Sequence, residues 1–441
     1  MTSENKPSKI RYLVLTLAAS TSLMLYLHRY TWNIIRPQLE KEYGFTNTQL
    51  ETIFTAFNFS YAAGQLPGGV ICDFFGARVY LTSLIAGWSL GLILFATAGT
   101  YLTFISFRII YGALQAGGYP GLSKVSRSWF PLEHRTTMQG FVASFAGRLG
   151  GAISPIIMAT VLMYYMGFSW RTALVIMAFL GLGLAGAFFL LFRNSPYTDK
   201  RVNAGELALF ETDRLPESRK KKVLNFWKAA KHRSYMTMIV AQLSNAGADI
   251  VYTSVMGSFF VSKGIDLKNL GFLVALPMFG GAIGGLFGGY LNDLIIRKTG
   301  NRKWARRIMG FSGKAIAAIF VFLAIAQSNV YLLGAGLFVV KFFSDWSQPT
   351  VWGTCTDMGG SHSATVFSMV NTAGNVGAII VSMFMIGPLL DMYTTIELVN
   401  GVETRTTDFF PMFVMVAALY VMTAVLWLTI DCTKPVDPEG D

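Results

Sequence analysis

Apolar runs of membrane-crossing length alternate with short polar loops along most of the 441 residues. A helix needs about 20 mostly apolar residues to cross the hydrocarbon core of a bilayer. Such runs cover 12–35, 47–69, 79–99, 101–123, 138–160, 171–192, 236–260, 268–290, 308–327, 330–352, 364–388 and 411–430, which predicts twelve spans. One long polar segment interrupts them, from Arg193 to Arg233, with Asn194-Ser195-Pro196 as a helix stop and the basic run Arg219-Lys220-Lys221-Lys222. The chain therefore divides into a six-span unit within 1–192, a linker at 193–235 and a second six-span unit within 236–441. The expected class is an all-α polytopic membrane protein of two six-helix bundles. Lys6, Lys9 and Arg11 stand before the first run as basic residues do in a signal peptide. That run continues past signal length into His28 and Arg29, so an uncleaved first helix is expected.

The two halves repeat each other. Gly68-Gly69-Val70-Ile71-Cys72-Asp73 ends the second span and Gly288-Gly289-Tyr290-Leu291-Asn292-Asp293 ends the eighth. A basic residue follows each, Arg78 and Arg297. Ala146-Gly147-Arg148-Leu149-Gly150 in the fifth span matches Ala373-Gly374-Asn375-Val376-Gly377 in the eleventh, and Pro120 in the fourth has Pro349 in the tenth. Three matches in order indicate pseudo-symmetric halves, and secondary transporters place their sites at the interface of such repeats.

Composition agrees. Hydrophobic residues make up 53% and charged residues only 14%, against about 25% charged in soluble proteins. A net charge of +12 would suggest nucleic acid in a soluble chain. Here the basic residues concentrate in alternate short loops, including Arg297, Lys298, Arg302, Lys303, Arg306 and Arg307. Positive loops stay inside, which predicts cytoplasmic termini. Arg36, Lys41, Arg171, Lys263, Lys268 and Arg405 are the scattered outside residues. Three dispersed cysteines offer neither disulfide framework nor metal site, and neither a cofactor nor nucleic acid is implied.

A charge at the centre of a membrane helix costs roughly 2.5–3.5 kcal/mol on insertion scales, so intramembrane charge points to function. Arg29, Arg108 and Arg148 fall at intermediate depth in the first, fourth and fifth spans. The guanidinium fork suits a carboxylate or phosphate, so these three are the expected anion contacts, Arg29 first. Snorkelling to headgroups is the alternative for Arg29, and a structural charge the alternative for Arg148. In the second half, Asp249, Lys341 and Asp345 lie within spans; Lys341 and Asp345 share a helix face and could simply neutralise each other. Asp249 and Asp345 are candidates for coupling. His28 titrates near neutrality and is a third, against the plainer reading of a packed, hydrogen-bonded histidine. Asn245, Asn371 and Asn375 could bond sugar hydroxyls, and aromatics such as Tyr26 could stack on a ring. Asp73 with Arg78, and Asp293 with Arg297, are expected to act in gating, with helix-end electrostatics as the alternative. The glycines from Gly280 to Gly289 lack a following Lys-Ser or Lys-Thr and are expected to allow close helix approach, not to bind nucleotide.

The loop Gly68-Gly69-x-x-x-Asp73-Phe74-Phe75-Gly76-Ala77-Arg78 resembles the signature between the second and third helices of the major facilitator superfamily. Arg29 with its aromatic neighbours, Arg108-x-x-x-Gly112-x-x-Gln115-Ala116-x-x-x-Pro120, and Ser128-Trp129-Phe130-Pro131-x-Glu133-x-Arg135 resemble its anion:cation symporter branch of sugar-acid and sialic-acid carriers. The resemblance covers nearly the whole chain. It implies the superfamily's twelve-helix fold, Gln115 as a site residue, and symport of an organic anion with a proton or sodium. Two departures bear on coupling: His28 and Gln115 stand where that branch usually carries acids. The expectation is a secondary active transporter of small organic anions, a sugar acid or related carboxylate, working as a monomer by alternating access in a bacterial inner membrane. Anion or phosphate-ester exchange and a non-transporting solute sensor are the alternatives. An enzyme finds no Ser/His/Asp arrangement or P-loop to support it.

Overall fold

The computed structural model describes residues 7–130, 138, 141–211, 226–359, 363–399 and 402–436. Among the described residues, each of the twelve predicted runs is helical, some with a break. The first span is Ile10–Arg29 with Trp32–Tyr43, the second Asn47–Phe75, the third Ala77–Thr97 and the fourth Tyr101–Ala116 with Gly118–Trp129. The fifth joins π-helical Phe141–Ala146 and Ile156–Tyr165 through Gly147–Pro155, and the sixth is Trp170–Leu191. The seventh comprises Arg233–Asp249, Val251–Ser254 and Met256–Ser262; the eighth is Leu267–Thr299 and the ninth Arg302–Ile325. The tenth is Val330–Trp346 with Gln348–Gly359, the eleventh Ser363–Val381, π-helical Ser382–Ile386 and Gly387–Met392, and the twelfth Phe410–Thr429.

Among the described residues, nine of these stretches are by themselves long and apolar enough to cross a bilayer. The second, fourth and seventh fall short. The second is long but carries Asn47, Gln49, Glu51, Thr52, Thr55 and Asn58; the other two are interrupted. Large apolar side chains such as Phe179, Leu190 and Phe384 point outward, as lipid-facing residues do and as a water-soluble surface avoids.

Interruptions recur every third span. The first helix breaks at Tyr30–Thr31, the fourth at Gly117, the seventh at Ile250 and Val255, and the tenth at Ser347. Each break frees backbone carbonyls in an apolar setting, where an unsatisfied group costs several kcal/mol. Hydroxyls supply bonds there: Thr31 donates to the His28 carbonyl (2.7 Å), Thr253 to Ile250 (2.8 Å) and Ser347 to Ser344 (2.9 Å). The same four broken spans carry Arg29, Arg108, Asp249, Lys341 and Asp345.

Duplication shows in the packing. A Cβ on Gly150 of the fifth span would lie 2.1 Å from the Leu23 carbonyl oxygen, and one on Gly377 of the eleventh 2.2 Å from that of Leu243. These are the paired glycines of the repeated motifs, each bringing its helix backbone against the first span of its half. Gly280, Gly284 and Gly288 likewise sit against the Phe338, Phe342 and Trp346 carbonyls of the tenth span, so the glycine run is a packing stripe.

Two compact units emerge, and they do not follow the sequence halves. One holds residues 1–31 and 56–220; the other holds 32–55 and 221–441. The outer part of the first two spans is thus packed with the second half of the chain. In the first unit, the linker helix Ala204–Glu211 returns Glu206 to the start of the first span, where its carboxylate accepts the Ile10 and Arg11 N–H groups (3.2 and 3.0 Å). An acid suits a helix N-terminus because the free N–H groups there are positive. In the second unit, the antiparallel strands β1 (Thr394–Val399) and β2 (Val402–Thr407) follow the eleventh span, in the register Thr394 to Thr407. The sequence between them is Asn400-Gly401, a pair that favours a tight hairpin turn.

Candidate functional site

In the first unit the break after Arg29 ends the helix at the guanidinium. Its Nε and Nη2 both donate to Gln115 Oε1, each at 3.2 Å. The Gln115 amide is itself anchored, donating to the Leu25 carbonyl (3.1 Å) and the Tyr111 hydroxyl (2.8 Å). Three rings surround the cation: Tyr61, Phe57 and Tyr26, with centroids 4.4, 5.0 and 5.2 Å from Arg29 Cζ. Tyr26 stacks on Tyr30 and meets Tyr119 edge-on, and the Tyr119 hydroxyl bonds Ser22 (3.0 Å). Arg108 is buried beside Phe95 (5.2 Å) and shares the Phe57 ring with Arg29 at 5.8 Å. Arg148 is half-buried one residue beyond Gly147, whose α-carbon faces Tyr26 and Tyr119. Arg29, Gln115 and Tyr26 are thus in one cluster, Arg108 adjoins it through Phe57, and Arg148 borders its aromatic wall.

Charge in this cluster has a single sign. Between residues 12 and 31 and between 56 and 192 the only acids in the sequence are Asp73, in the last turn of the second span, and Glu133. No carboxylate is recorded against Arg29 among the described residues; a neutral carbonyl and ring faces hold it instead.

His28 points elsewhere. It is fully buried, its Nε2 bonds the Met177 carbonyl at 2.9 Å, and Gly181 of the sixth span lies against its ring. This is the packed, locally bonded arrangement.

Buried charge in the second unit is mixed. Lys341 Nζ lies 3.0 Å from Asp249 and 2.9 Å from Asp345. Asp249 also accepts from the Tyr420 hydroxyl (2.7 Å) and the Ser344 hydroxyl (3.3 Å). Lys314, 1% exposed, donates to the Ser344 carbonyl and hydroxyl (2.7 and 2.8 Å). Asp249 and Asp345 therefore belong to one network through a shared lysine. Lys314 stands in an apolar run as Lys341 does, so the signal that pointed to Lys341 could have found it too. Asn245 is buried close by, whereas Asn371 is exposed and Asn375 half-buried on the eleventh span.

The gating residues do not form the expected side-chain pairs where they can be seen. Arg78 donates to the Phe189 carbonyl (2.9 Å), and its backbone N–H to Asn194 (2.8 Å). The Asp73 side chain lies outside the described residues. Arg297 reaches the backbone carbonyl of Asp293 (3.4 Å), while the Asp293 carboxylate accepts from Asn292 (3.3 Å). Asp293 and Arg297 are thus bonded at the helix end.

Arg36 corrects the outside-loop assignment. It is fully buried in the second unit, 3.4 Å from the fully buried Glu51, and donates to Ser258 (2.6 Å) and Asn47 (2.9 Å). The sequence shows Arg36 and Glu51 at the margins of apolar runs, and nothing there announces that they meet.

A family model for the Major Facilitator Superfamily matches residues 17–382. The chain is 29% identical over 387 residues to a probable sulfoacetate transporter of Cupriavidus necator, covering 87% of this chain and 88% of that protein. It is 23% identical to a D-galactonate transporter of Escherichia coli, covering 96% of each. Against a probable galactarate/D-glucarate transporter of Bacillus subtilis the identity is 24%, covering 86% of each. Among solved structures, a bacterial homolog of the human lysosomal transporter Spinster superposes with a TM-score of 0.73 at 14% identity, covering 96% of this chain and 95% of that one, which speaks to fold alone.

Proposed function

The chain belongs to the major facilitator superfamily and is an integral membrane transporter, not an enzyme; on that premise we propose that it carries small organic anions by alternating access. The cargo class is a sugar acid or a related carboxylate or sulfonate, and Arg29 is its principal contact. The observation that carries this reading is the Arg29 cluster: a permanent charge in the break of a membrane helix, oriented by Gln115 and enclosed by Tyr26, Phe57 and Tyr61. Gln115 Oε1 accepts from two nitrogens of the fork, which orients the guanidinium, and a planar fork suits bidentate binding of an anion. Arg108 adds a second cation against the Phe57 ring, and Arg148 a third at the edge. Sulfoacetate, named for one relative, and glucarate, named for another, are both dianions. Two or three fixed cations with no neighbouring acid suit such a charge.

Cation-coupled symport is the form of transport we propose, with both termini cytoplasmic in a bacterial inner membrane. The termini follow from the bias of basic loops, and Asp249 and Asp345 are the coupling candidates of the second unit. Anion exchange is the second reading, favoured by the neutral Gln115 beside Arg29. Asp73, Arg78, Asp293 and Arg297 remain the candidates for setting helix ends at the cytoplasmic gate.

Thermal shift and proteoliposome uptake with sulfoacetate, D-galactonate and D-glucarate test this reading. A stabilising anion whose effect disappears in Arg29→Gln, together with its transport, is the expected result. Stabilisation by neutral sugars or organic cations alone would refute it.

A further inference from the structure

The segment 32–55 is the part of the first two spans held by the second unit, and its hold centres on one ion pair. Arg36 and Glu51 are both fully buried, with Nε and Oε1 3.4 Å apart. Around them, Ser382 donates to Glu51, Thr55 donates to Ser382 (3.2 Å), and Arg36 donates to Ser258 (2.6 Å) and Asn47 (2.9 Å). Asp391 caps the second helix, accepting the Asn47 and Thr48 N–H groups at 2.7 and 2.9 Å. The backbones are in close contact as well: a Cβ on Gly257 would lie 1.6 Å from the Asn33 carbonyl oxygen.

Chain on either side of this segment, 10–31 and 56–75, belongs to the first unit. The helix is broken at Tyr30–Thr31, where the chain passes from one unit to the other. A carrier that exposes its site alternately has to rearrange such a crossing segment. The pair sits where a single proton can change its charge balance. Neutralising one partner of a buried ion pair leaves the other uncompensated and destabilises the arrangement they hold together.

We propose that Glu51 is the proton-binding group of the transport cycle, its protonation stripping Arg36 of its counter-charge and releasing 32–55 from Ser258, Ser382 and Asp391. The proton is bound on a Glu51 carboxylate oxygen and is given up when the pair re-forms. This rests on the transporter reading above and names its co-ion. It places the proton-binding group in the second span, in preference to His28, which is bonded to the Met177 carbonyl, and to Asp249 and Asp345, which are held by Lys341. Other charged groups on the packed elements are Glu40, whose carboxylate lies 3.5 Å from the Ser258 hydroxyl; Asp391; and Arg405, which donates to the Gly44 carbonyl (2.8 Å). Lys41 and Glu42 are exposed on the helix of Arg36, and Lys263 is exposed beyond Ser262. Of these carboxylates only Glu51 contacts Arg36.

Hydrogen–deuterium exchange of the full-length protein in lipid nanodiscs, corrected for intrinsic rates, tests the release without needing a cargo. In the wild type, peptides within 32–55 should lose protection between about pH 8 and about pH 5. In Glu51→Gln they should be unprotected throughout, and in Glu51→Asp the pH response should return. Protection that does not vary with pH in the wild type, or that still varies in Glu51→Gln, overturns the proposal. With sulfoacetate as probe, Glu51→Gln should keep binding and counterflow yet lose accumulation driven by a pH gradient. Loss of binding in the wild type would instead strike at the anion site, and accumulation driven by sodium at constant pH would overturn the proton assignment.

Discussion

Arg29 in the first unit and Lys341 in the second are both cations at broken membrane helices, and they are satisfied in different ways. Arg29 has a neutral carbonyl and three ring faces. Lys341 has two carboxylates, at 3.0 and 2.9 Å. Ring faces contribute about 0.5–2 kcal/mol each to a cation, far less than its lost hydration. An arriving anion therefore improves the surroundings of Arg29. The same anion at Lys341 would have to displace a carboxylate already in place. The difference separates a cation whose surroundings an incoming anion would complete from one whose carboxylate partners are already in place.

The largest way to break this comparison is to remove the cation that is already matched. Lys341→Met leaves Asp249 and Asp345 facing each other without the charge they share. Breaking a buried pair from one side costs about 3–5 kcal/mol, so a marked fall in melting temperature is expected. Anion stabilisation through Arg29 should survive in whatever protein remains folded. If Lys341→Met abolished anion binding instead, the roles of the two units would be reversed.

Removing the unmatched cation comes next. Charge-assisted hydrogen bonds are worth about 1.5–3 kcal/mol, so Arg29→Gln should weaken anion affinity by about 100-fold. It should leave stability without anion unchanged or improved, because the substitution deletes an uncompensated charge. Calorimetric titration and melting curves on the same preparation separate the two. Gln115→Glu sharpens the contrast by giving Arg29 a partner like those of Lys341. Anion affinity should then drop by roughly tenfold at neutral pH and recover on acidification as the new carboxylate is neutralised. Affinity independent of the substitution would mean that Gln115 is remote from the bound anion.

Much of the fold was legible because a bilayer demands long apolar runs. The glycine repeat at Gly150 and Gly377 was readable for a similar reason: only glycine permits backbones that close. The helix breaks were not legible. Tyr30-Thr31 and Ser347 carry no proline or glycine, and the local hydroxyl bonds that serve them, from Thr31 to the His28 carbonyl and from Ser347 to the Ser344 carbonyl, are ones that threonine and serine also make inside unbroken helices. The β1–β2 hairpin had a local signal in Asn400-Gly401, masked by its place between apolar runs. At the site, Arg29 announced itself as a charge within an apolar run; Lys314 of the second unit carries the same signal and was passed over. Arg36 and Glu51 lie 15 positions apart at the edges of their runs, and their meeting is a product of tertiary packing. His28 shows the converse, since a titratable residue beside the key arginine turns out to face the Met177 carbonyl.

The smallest expected effect lies outside the membrane, at the end of the twelfth span, and controls for the interior ones. Lys303 Nζ lies 2.8 Å from Asp431, which also accepts from the Thr433 hydroxyl at 2.7 Å. Burial opposes ionisation of Asp431, but the bonds from Lys303 and Thr433 outweigh it and hold the carboxyl down at about 2. A carboxyl depressed in the folded state stabilises the protein fully above its unfolded value of about 3.9, and that contribution is lost as pH falls towards 2. Lys303 is 35% exposed, so screening limits the whole contribution to about 1 kcal/mol. Asp431→Asn should lower the melting temperature slightly at neutral pH and flatten its decline below about pH 4, with no change between about pH 8 and about pH 5. A loss of pH response in that upper window would place the proton switch at this peripheral pair and not in the interior of the second unit.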